Sequence, residues 1–276
     1  MNLKNVSFCT FFITFLAAQP ATIMTKIEKH IVVVTASYNN KDWYKKNIDS
    51  FAMQTHKNKS MIYIDDFSSD GTKTLVETYI QEKNLDNILI IENEKRSGAL
   101  ANQYKAIHTC NNDDIIVILD GDDFFANKNV LSYINNIYQN PNIWLTYGQF
   151  ECLSNKSKGF CRPMPKQVIK NNAFRKHVPT PSHLRTFYAG LFKKIKVEDL
   201  MYENDFFKMA CDIAAMFPMI EMASQGHFKF ISEVLLTYNN VNTINAHKVS
   251  KALQKKLDIE LRSRKKYKPL KTLFTR

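Results

Sequence analysis

The tetrad Asp120-Gly121-Asp122-Asp123 stands directly behind the aliphatic run Ile115-Ile116-Val117-Ile118-Leu119. Such a run reads as a parallel strand buried on both faces. Three carboxylates at its end do nothing for packing, and they repel one another unless a cation or sugar hydroxyls compensate. In open α/β sheets, ligands bind outside the carboxyl ends of the strands. The tetrad therefore points to a metal-dependent nucleotide site. Two further strand ends carry polar groups: Ser37-Tyr38-Asn39 after the run from His30 to Ala36, and Asp65-Asp66 after Met61-Ile62-Tyr63-Ile64. Together they suit a ligand with a diphosphate, a ribose and a base. An oxygen-rich cage for Mg²⁺ or Mn²⁺ needs few protein ligands there, because phosphates complete the shell.

The elements that position these groups read as alternating strands and helices. After the first strand, Asp42 caps a helix through about Gln54, with Trp43, Ile48 and Phe51 on its apolar face. Ser68-Ser69-Asp70-Gly71 has turn chemistry and leads into a helix from Thr72 to Glu82. Ile88 to Ile91 is the third strand, Gly98 to Thr109 the third helix, and Ile115 to Leu119 the fourth strand. This order implies an α/β fold with right-handed crossovers and a mostly parallel sheet flanked by helices.

Beyond Asp123 the pattern predicts a helix from Val130 to Tyr138 and a strand from Ile143 to Phe150. Residues 151–182 carry Pro163, Pro165, Pro179 and Pro181 and read as a mobile surface loop. Helices follow around Leu184 to Lys193 and Asp205 to Ser224, the second interrupted by Pro218. Phe228 to Ile231 and Val234 to Tyr238 read as two short strands. A basic amphipathic helix runs from Lys248 onward. The expected division is a nucleotide-binding half over 28–125, an acceptor half over 126–247 and a tail over 248–276.

The chain has 276 residues and a formal net charge of +12, which favours anionic partners, although its richness in Asn, Lys and Ile discounts that clue. The five cysteines form no C-x-x-C pair. Cys152 and Cys161 bridge in an oxidising compartment and are otherwise reduced thiols. Residues 1–24 have two readings. Val6 to Ala18 has the shape of a secretory signal peptide or anchor, and Met24 is the alternative true start, which makes the protein cytoplasmic or peripheral to a membrane. No G-x-G-x-x-G follows the first strand and no G-x-x-x-x-G-K-[ST] occurs, so dinucleotide oxidoreductase and P-loop readings have little support.

Four segments in order carry a family resemblance: Thr35 to Asn39 (TASYN), Ile64 to Thr72 (IDDFSSDGT), Asn93 to Asn102 (NEKRSGALAN) and Leu119 to Asp123 (LDGDD). They resemble family 2 glycosyltransferases of the GT-A fold, firmly over residues 30–125 and loosely over 183–247. The resemblance implies an inverting displacement at the anomeric carbon of a nucleotide sugar, with a UDP-sugar favoured. Carried over, the backbone near Ala36 to Tyr38, with Asp65 and Asp66, holds base and ribose, and Gly98 lies in the donor loop. Asp120, followed by Gly121, accepts a ribose hydroxyl. Asp122 ligates a divalent cation, Mn²⁺ or Mg²⁺, that bridges the diphosphate. Arg96 reaches the pyrophosphate or base, or else makes a surface ion pair.

The general base in this family is commonly an Asp at the start of a helix, a place that Asp212 fits, with Cys211 where many relatives carry Glu. Glu221 is the rival carboxylate. His247 is placed to complete the metal or pyrophosphate site. His183 and Arg185 line the acceptor cleft or simply pack. The acceptor is a glycan, a protein side chain or a lipid carrier, and nucleic acid is not expected. The basic tail offers a peripheral membrane contact or behaves as a solvated helix. No Q-x-x-R-W and no set of long apolar spans occurs, so transfer of single sugars is expected over processive synthesis. The alternatives are a nucleotidyltransferase of the same sheet architecture and a non-catalytic module that binds anionic ligands.

Overall fold

The computed structural model describes residues 27–179, 181–244 and 250–274. Its β-branched runs form the parallel sheet expected of them. β1 (Ile31–Ser37), β2 (Lys59–Asp65), β3 (Ile88–Glu92) and β4 (Ile115–Ile118) pair in parallel in the order β3-β2-β1-β4. The crossovers are α1 (Tyr44–Ala52), α2 (Thr72–Glu82) and α3 (Ala99–Thr109). Ile31, Val33, Val34 and the whole of Ile115 to Val117 are buried, as strands covered on both faces must be. The strand order reverses between β1 and β4. That reversal opens a crevice at their carboxyl ends, where Tyr38 and Asp120 emerge.

The second half extends the same sheet. β5 (Phe124–Phe125), α4 (Val130–Ile137), β6 (Leu145–Cys152), α5 (Lys166–Lys170), β7 (Arg185–Tyr188) and α6 (Ala189–Phe192) come first. The hairpin β8 (Met201–Tyr202) and β9 (Asp205–Phe206), α7 (Cys211–Met222), β10 (Phe228–Tyr238) and α8 (Lys251–Ser263) follow. The full order is β3-β2-β1-β4-β7-β6-β10-β5, with β7 antiparallel to β4 and β6, and β5 antiparallel to β10. Among the described residues no helix is long and apolar enough to cross a membrane.

Several expectations need correction. Asp42 does not cap α1; the Asn40 carbonyl accepts from the Trp43 and Tyr44 N–H groups instead, and the helix begins at Tyr44. The first half of the helix expected over Leu184 to Lys193 is strand β7, because Thr186 and Phe187 pair with β4 and the Thr186 hydroxyl bonds those of Tyr138 and Thr146; Ala189–Phe192 is helical, as α6. The helix expected from Asp205 starts at Cys211, after Ala210 turns the chain through the left-handed region, and it continues through Pro218. The two short strands are one, β10, whose register with β6 slips between Phe230 and Leu236. Cys110, Cys152, Cys161 and Cys211 are free thiols, so no Cys152–Cys161 bridge forms.

Residues 151–182 are anchored, not a featureless loop. They contain α5 and a 3₁₀ turn at Phe174–Lys176, and they bury Cys161, Met164, Phe174 and Arg175. Arg175 donates to both Glu221 oxygens, at 2.7 and 3.0 Å, and to the Leu261 carbonyl at 2.6 Å. The chain after α8 closes over the same spot, with the Tyr267 N–H donating to Glu221 at 2.9 Å. The tail is therefore a strap with Leu257, Leu261 and Leu273 buried, and its lysines face out.

Removing one member of a buried pair strands the other's charge. Arg175→Met should cost about 3–5 kcal/mol, read as a lower urea midpoint. Adding Glu221→Leu should recover most of the loss. A single variant as stable as wild type would contradict this account.

Candidate active site

The tetrad is fixed by side chains that the chain brings from both halves. Asn47, buried on the apolar face of α1, donates from Nδ2 to the carbonyls of Asp120 and Asp123, at 3.0 and 2.8 Å. The Gly121 N–H reaches the Ala36 carbonyl, joining the ends of β1 and β4. A Cβ on Gly121 would sit 2.7 Å from Asn40 Nδ2 and 2.8 Å from Ser37 Cβ, so only glycine lets the backbones close. The Asn239 N–H donates to Asp123 Oδ1 at 2.8 Å, and Asn242 Nδ2 to Asp122 Oδ2 at 2.7 Å. The end of β10 thus holds the tetrad from the far side.

A cleft of about 370 Å³ opens above this turn. It is lined by Ala36, Tyr38, Arg96, Asp120 to Asp122, His183, Arg185 and Asp212. The strand order β1-β4-β7 sets the Tyr38–Arg96 stack on one side of Asp120 and Arg185 on the other. Asp123 lies beneath these residues, fully buried, with Oδ2 lacking a hydrogen-bond partner among the described residues. Burial, followed by the charges of Asp122 and Asp120, pushes its carboxyl well above the usual range. Burial and the Arg185 cation lower His183 to about 3, so its imidazole is neutral. Ligand atoms of Asp120, Asp123 and His183 all lie within 4.8 Å of one another. Oxygen donors with one imidazole, crowded and short of positive charge, fit a divalent cation such as Mn²⁺ or Mg²⁺.

The base-side geometry depends on the start of α7. Ala210 takes φ 56°, a left-handed conformation that costs roughly 1–2 kcal/mol for a residue with a Cβ. It turns the chain so that Asp212 enters the first helical turn at the cleft wall.

The comparisons with known proteins agree with this arrangement. A sequence profile of glycosyl transferase family 2 matches residues 32–195, more than half of the chain. The chain belongs to glycosyl transferase family 2. It is 33% identical over 100 residues to a putative teichuronic acid biosynthesis glycosyltransferase of Bacillus subtilis (strain 168), a stretch covering 36% of this chain and 38% of that protein. It is 28% identical over 127 residues to the UDP-Glc:alpha-D-GlcNAc-diphosphoundecaprenol beta-1,3-glucosyltransferase of Escherichia coli, covering 46% and 48%. The chain thus spans less than half the length of these curated relatives. Its fold is similar to a Pyrobaculum calidifontis mannosyltransferase solved with GDP-Man and Mn²⁺, with a TM-score of 0.59 at 16% identity over 86% of this chain and 66% of that one. It is also similar to S. aureus TarS solved with UDP-GlcNAc, with a TM-score of 0.57 at 16% identity over 80% and 61%.

In this family 2 member the structure brings Ala36, Tyr38, Arg96, Asp120, Gly121, Asp122 and Asp212 to one cleft. Arg96 makes no surface ion pair among the described residues; its guanidinium carbon stacks 3.7 Å from the centre of the Tyr38 ring. Asp65, Asp66 and Gly98 do not line the cleft. Asp65 is buried, accepts the Ser68 N–H at 2.9 Å, and keeps Oδ1 without a partner. Asp66 serves the donor loop: it accepts from Asn93 Nδ2 at 2.8 Å and from the Ser97 and Gly98 N–H groups at 2.7 and 2.9 Å. Gly98 sits at φ 90°, which glycine alone adopts cheaply. Glu221 is consumed by Arg175 and Tyr267, away from the cleft. His247 lies outside the described residues, as do residues 1–24.

The sequence reading missed Asn47, Asn239 and Asn242. Asn47 had a visible signal: a polar residue between Tyr44 and Ile48 on an apolar helix face. The two later asparagines had none, because their partners lie over a hundred residues away.

The loop anchor has a pH signature. Burial alone pushes the Asp66 carboxyl up, but the Ser97 N–H, Asn102, the Gly98 N–H and Asn93 together hold it below its ordinary value. Asp66→Asn should cost about 2 kcal/mol, as lost hydrogen bonds to a charged group do. With the folded pKa depressed, that difference should be complete above about pH 4 and shrink as pH falls through the folded value. Urea melts of both proteins from neutral to acid pH would measure it, and a gap that widened on acidification would refute the assignment.

Proposed function

We propose that this chain is an inverting glycosyltransferase that moves a single sugar from a UDP-sugar to a hydroxyl acceptor. The observation that carries the proposal is the shared cleft: the Tyr38–Arg96 stack, the acidic tetrad and Asp212 all line it. Such a set suits a nucleoside, a diphosphate and a sugar together. Uridine is favoured by the UDP-GlcNAc bound to TarS and by the UDP-Glc in the name of the E. coli relative, whereas the P. calidifontis enzyme was solved with a guanosine donor. A nucleotidyltransferase would use a glycine-rich phosphate loop after β1, where this chain has Ser37-Tyr38-Asn39-Asn40.

In this reading residues 28–125 bind the donor and 126–247 the acceptor. Ala36 and Tyr38 hold the base, Asp65 braces the turn at Ser68 behind them, Asp66 and Gly98 shape the donor loop, and Asp120 accepts a ribose hydroxyl. Asp122, helped by the Asp120–Asp123–His183 cluster and by His247, would hold Mn²⁺ or Mg²⁺. That ion would supply Lewis-acid neutralisation of the leaving diphosphate. Asp212 takes the proton of the acceptor hydroxyl as its oxygen attacks the anomeric carbon from the face opposite the diphosphate. The bond from that carbon to the phosphate oxygen breaks, its electron pair leaves on the diphosphate, and the configuration inverts. The acceptor is a glycan, a protein side chain or a lipid carrier, with residues 151–182 contributing to the choice. The outward lysines of the strap offer a peripheral membrane contact.

The decisive assay is Mn²⁺-stimulated hydrolysis of a panel of nucleotide sugars, followed by transfer. Asp122→Asn should abolish metal-dependent turnover. Asp212→Asn should lower transfer by about 10²–10⁴-fold, the usual contribution of a general base, with donor affinity unchanged. Failure to bind or turn over any donor with any metal would overturn the transferase reading.

A further inference from the structure

Arg185 is a buried guanidinium left short of partners. Its side chain is 7% exposed. Of its three nitrogens only Nη2 makes hydrogen bonds among the described residues, to Asp120 Oδ2 at 3.3 Å and His183 Nδ1 at 3.4 Å. Both are long for charge-assisted bonds, which run about 2.7–2.9 Å. Nε is buried with no partner among the described residues. Arg175, comparably buried, spends all three nitrogens on bonds of 2.6–3.0 Å. A guanidinium offers five donors, and burying them unpaired costs more than an ordinary hydrogen bond returns.

Packing does not account for this residue. Arg185 pairs with Ile118 across β7 and β4, which sets its Cα beside the strand end that carries the tetrad. Its side chain lines the cleft with Asp120 and Asp212. Asp120 meets its charge through one long contact of 3.3 Å. A planar fork with free donors, held in a cleft, matches a phosphate oxyanion better than a neutral hydroxyl.

We propose that Arg185 binds the distal phosphate of the donor's diphosphate and holds its negative charge as the sugar leaves. This rests on the donor reading above. When the bond from the anomeric carbon to the phosphate oxygen breaks, the electron pair stays on the diphosphate, next to the free guanidinium donors. Low exposure keeps that interaction from being screened by solvent ions. Arg185 thereby adds a fixed positive charge on the β7 side of the tetrad, distinct from Arg96 beside Tyr38.

The test compares two nucleotides that differ only in that phosphate. UDP and UMP are titrated into the full chain with Mn²⁺, using wild type, Arg185→Met and Arg185→Lys. Arg185→Met should lose about tenfold to a hundredfold in UDP affinity, with UMP affinity unchanged within about twofold. Arg185→Lys, which keeps a point charge without the fork, should recover part of the loss. If UDP and UMP weaken together, Arg185 supports the cleft without touching the distal phosphate, and the proposal falls. It falls equally if neither weakens. Should Arg185→Met fail to fold by thermal melting, the Lys variant carries the same comparison. If wild type binds UMP but gains nothing from the second phosphate of UDP, the Arg185 assignment alone fails. If wild type binds neither, nor GDP, the donor reading fails and takes this proposal with it.

Discussion

Three carboxylates at the end of one buried strand repel one another, and the cleft is organised around containing that repulsion. Asp123 is fully inside the protein, where its charge is least tolerable, and a single backbone N–H from Asn239 serves one of its oxygens. Asp120 faces a guanidinium at long range, and Asp122 is held by Asn242. The turn itself is fastened through its carbonyls by Asn47. The tetrad's backbone is thus held by one side chain, while its carboxylates are met by groups from other elements, Asn239, Asn242 and Arg185. An ordinary turn would reverse that division, since Asp side chains usually bond their own backbone.

The two halves of the chain meet at this turn by different means. The first half supplies a parallel sheet whose reversal between β1 and β4 makes the crevice. The second half closes it with α7, whose first turn is set by left-handed Ala210 and whose last turn is locked by the Arg175–Glu221 pair. Both ends of α7 are therefore constrained, and Asp212 inherits that rigidity. The strap after α8 reinforces the far lock through Tyr267 and through the Leu270 N–H bonded to Met222. In the proposed reading of Asp212 as the base this rigidity matters, because small errors in position cost large factors in rate.

The first half was legible in the sequence because its signals are local. Ile31 to Val34 and Ile115 to Ile118 can be little other than buried strands, and α2 has the predicted bounds from Thr72 to Glu82. The second half was less legible because long-range pairing decides it. Arg185-Thr186-Phe187-Tyr188 becomes a strand only because β4 and β6 flank it, and the helix reading failed there. Arg185 was placed on that helix, either lining the acceptor cleft or packing; on β7 it lines the cleft, and its guanidinium meets Asp120 and His183. Glu221 was a plausible base until its partner appeared, and that partner lies in a segment whose composition suggested a loose loop. Asp66 was read as a ligand contact, yet its oxygens hold Ser97 and Gly98, a role that no spacing encodes.

The formal charge of +12 is a poor guide to this cleft, whose floor is acidic. Its cations are few and unequal. Arg96 is exposed and stacked on Tyr38, and Lys208 is half-committed to the Ser97 carbonyl. Charges so placed attract a diphosphate at a distance and weaken as salt rises, because mobile ions screen exposed groups. Arg185 is buried beside Asp120 and belongs to a different regime: it adds little to long-range attraction, which its acidic neighbours cancel. Its free donors act on a ligand only at contact, and most strongly when negative charge grows there. Under the proposed donor reading, the asymmetry would separate capture beside Tyr38 from bond cleavage beside Arg185 and Asp212.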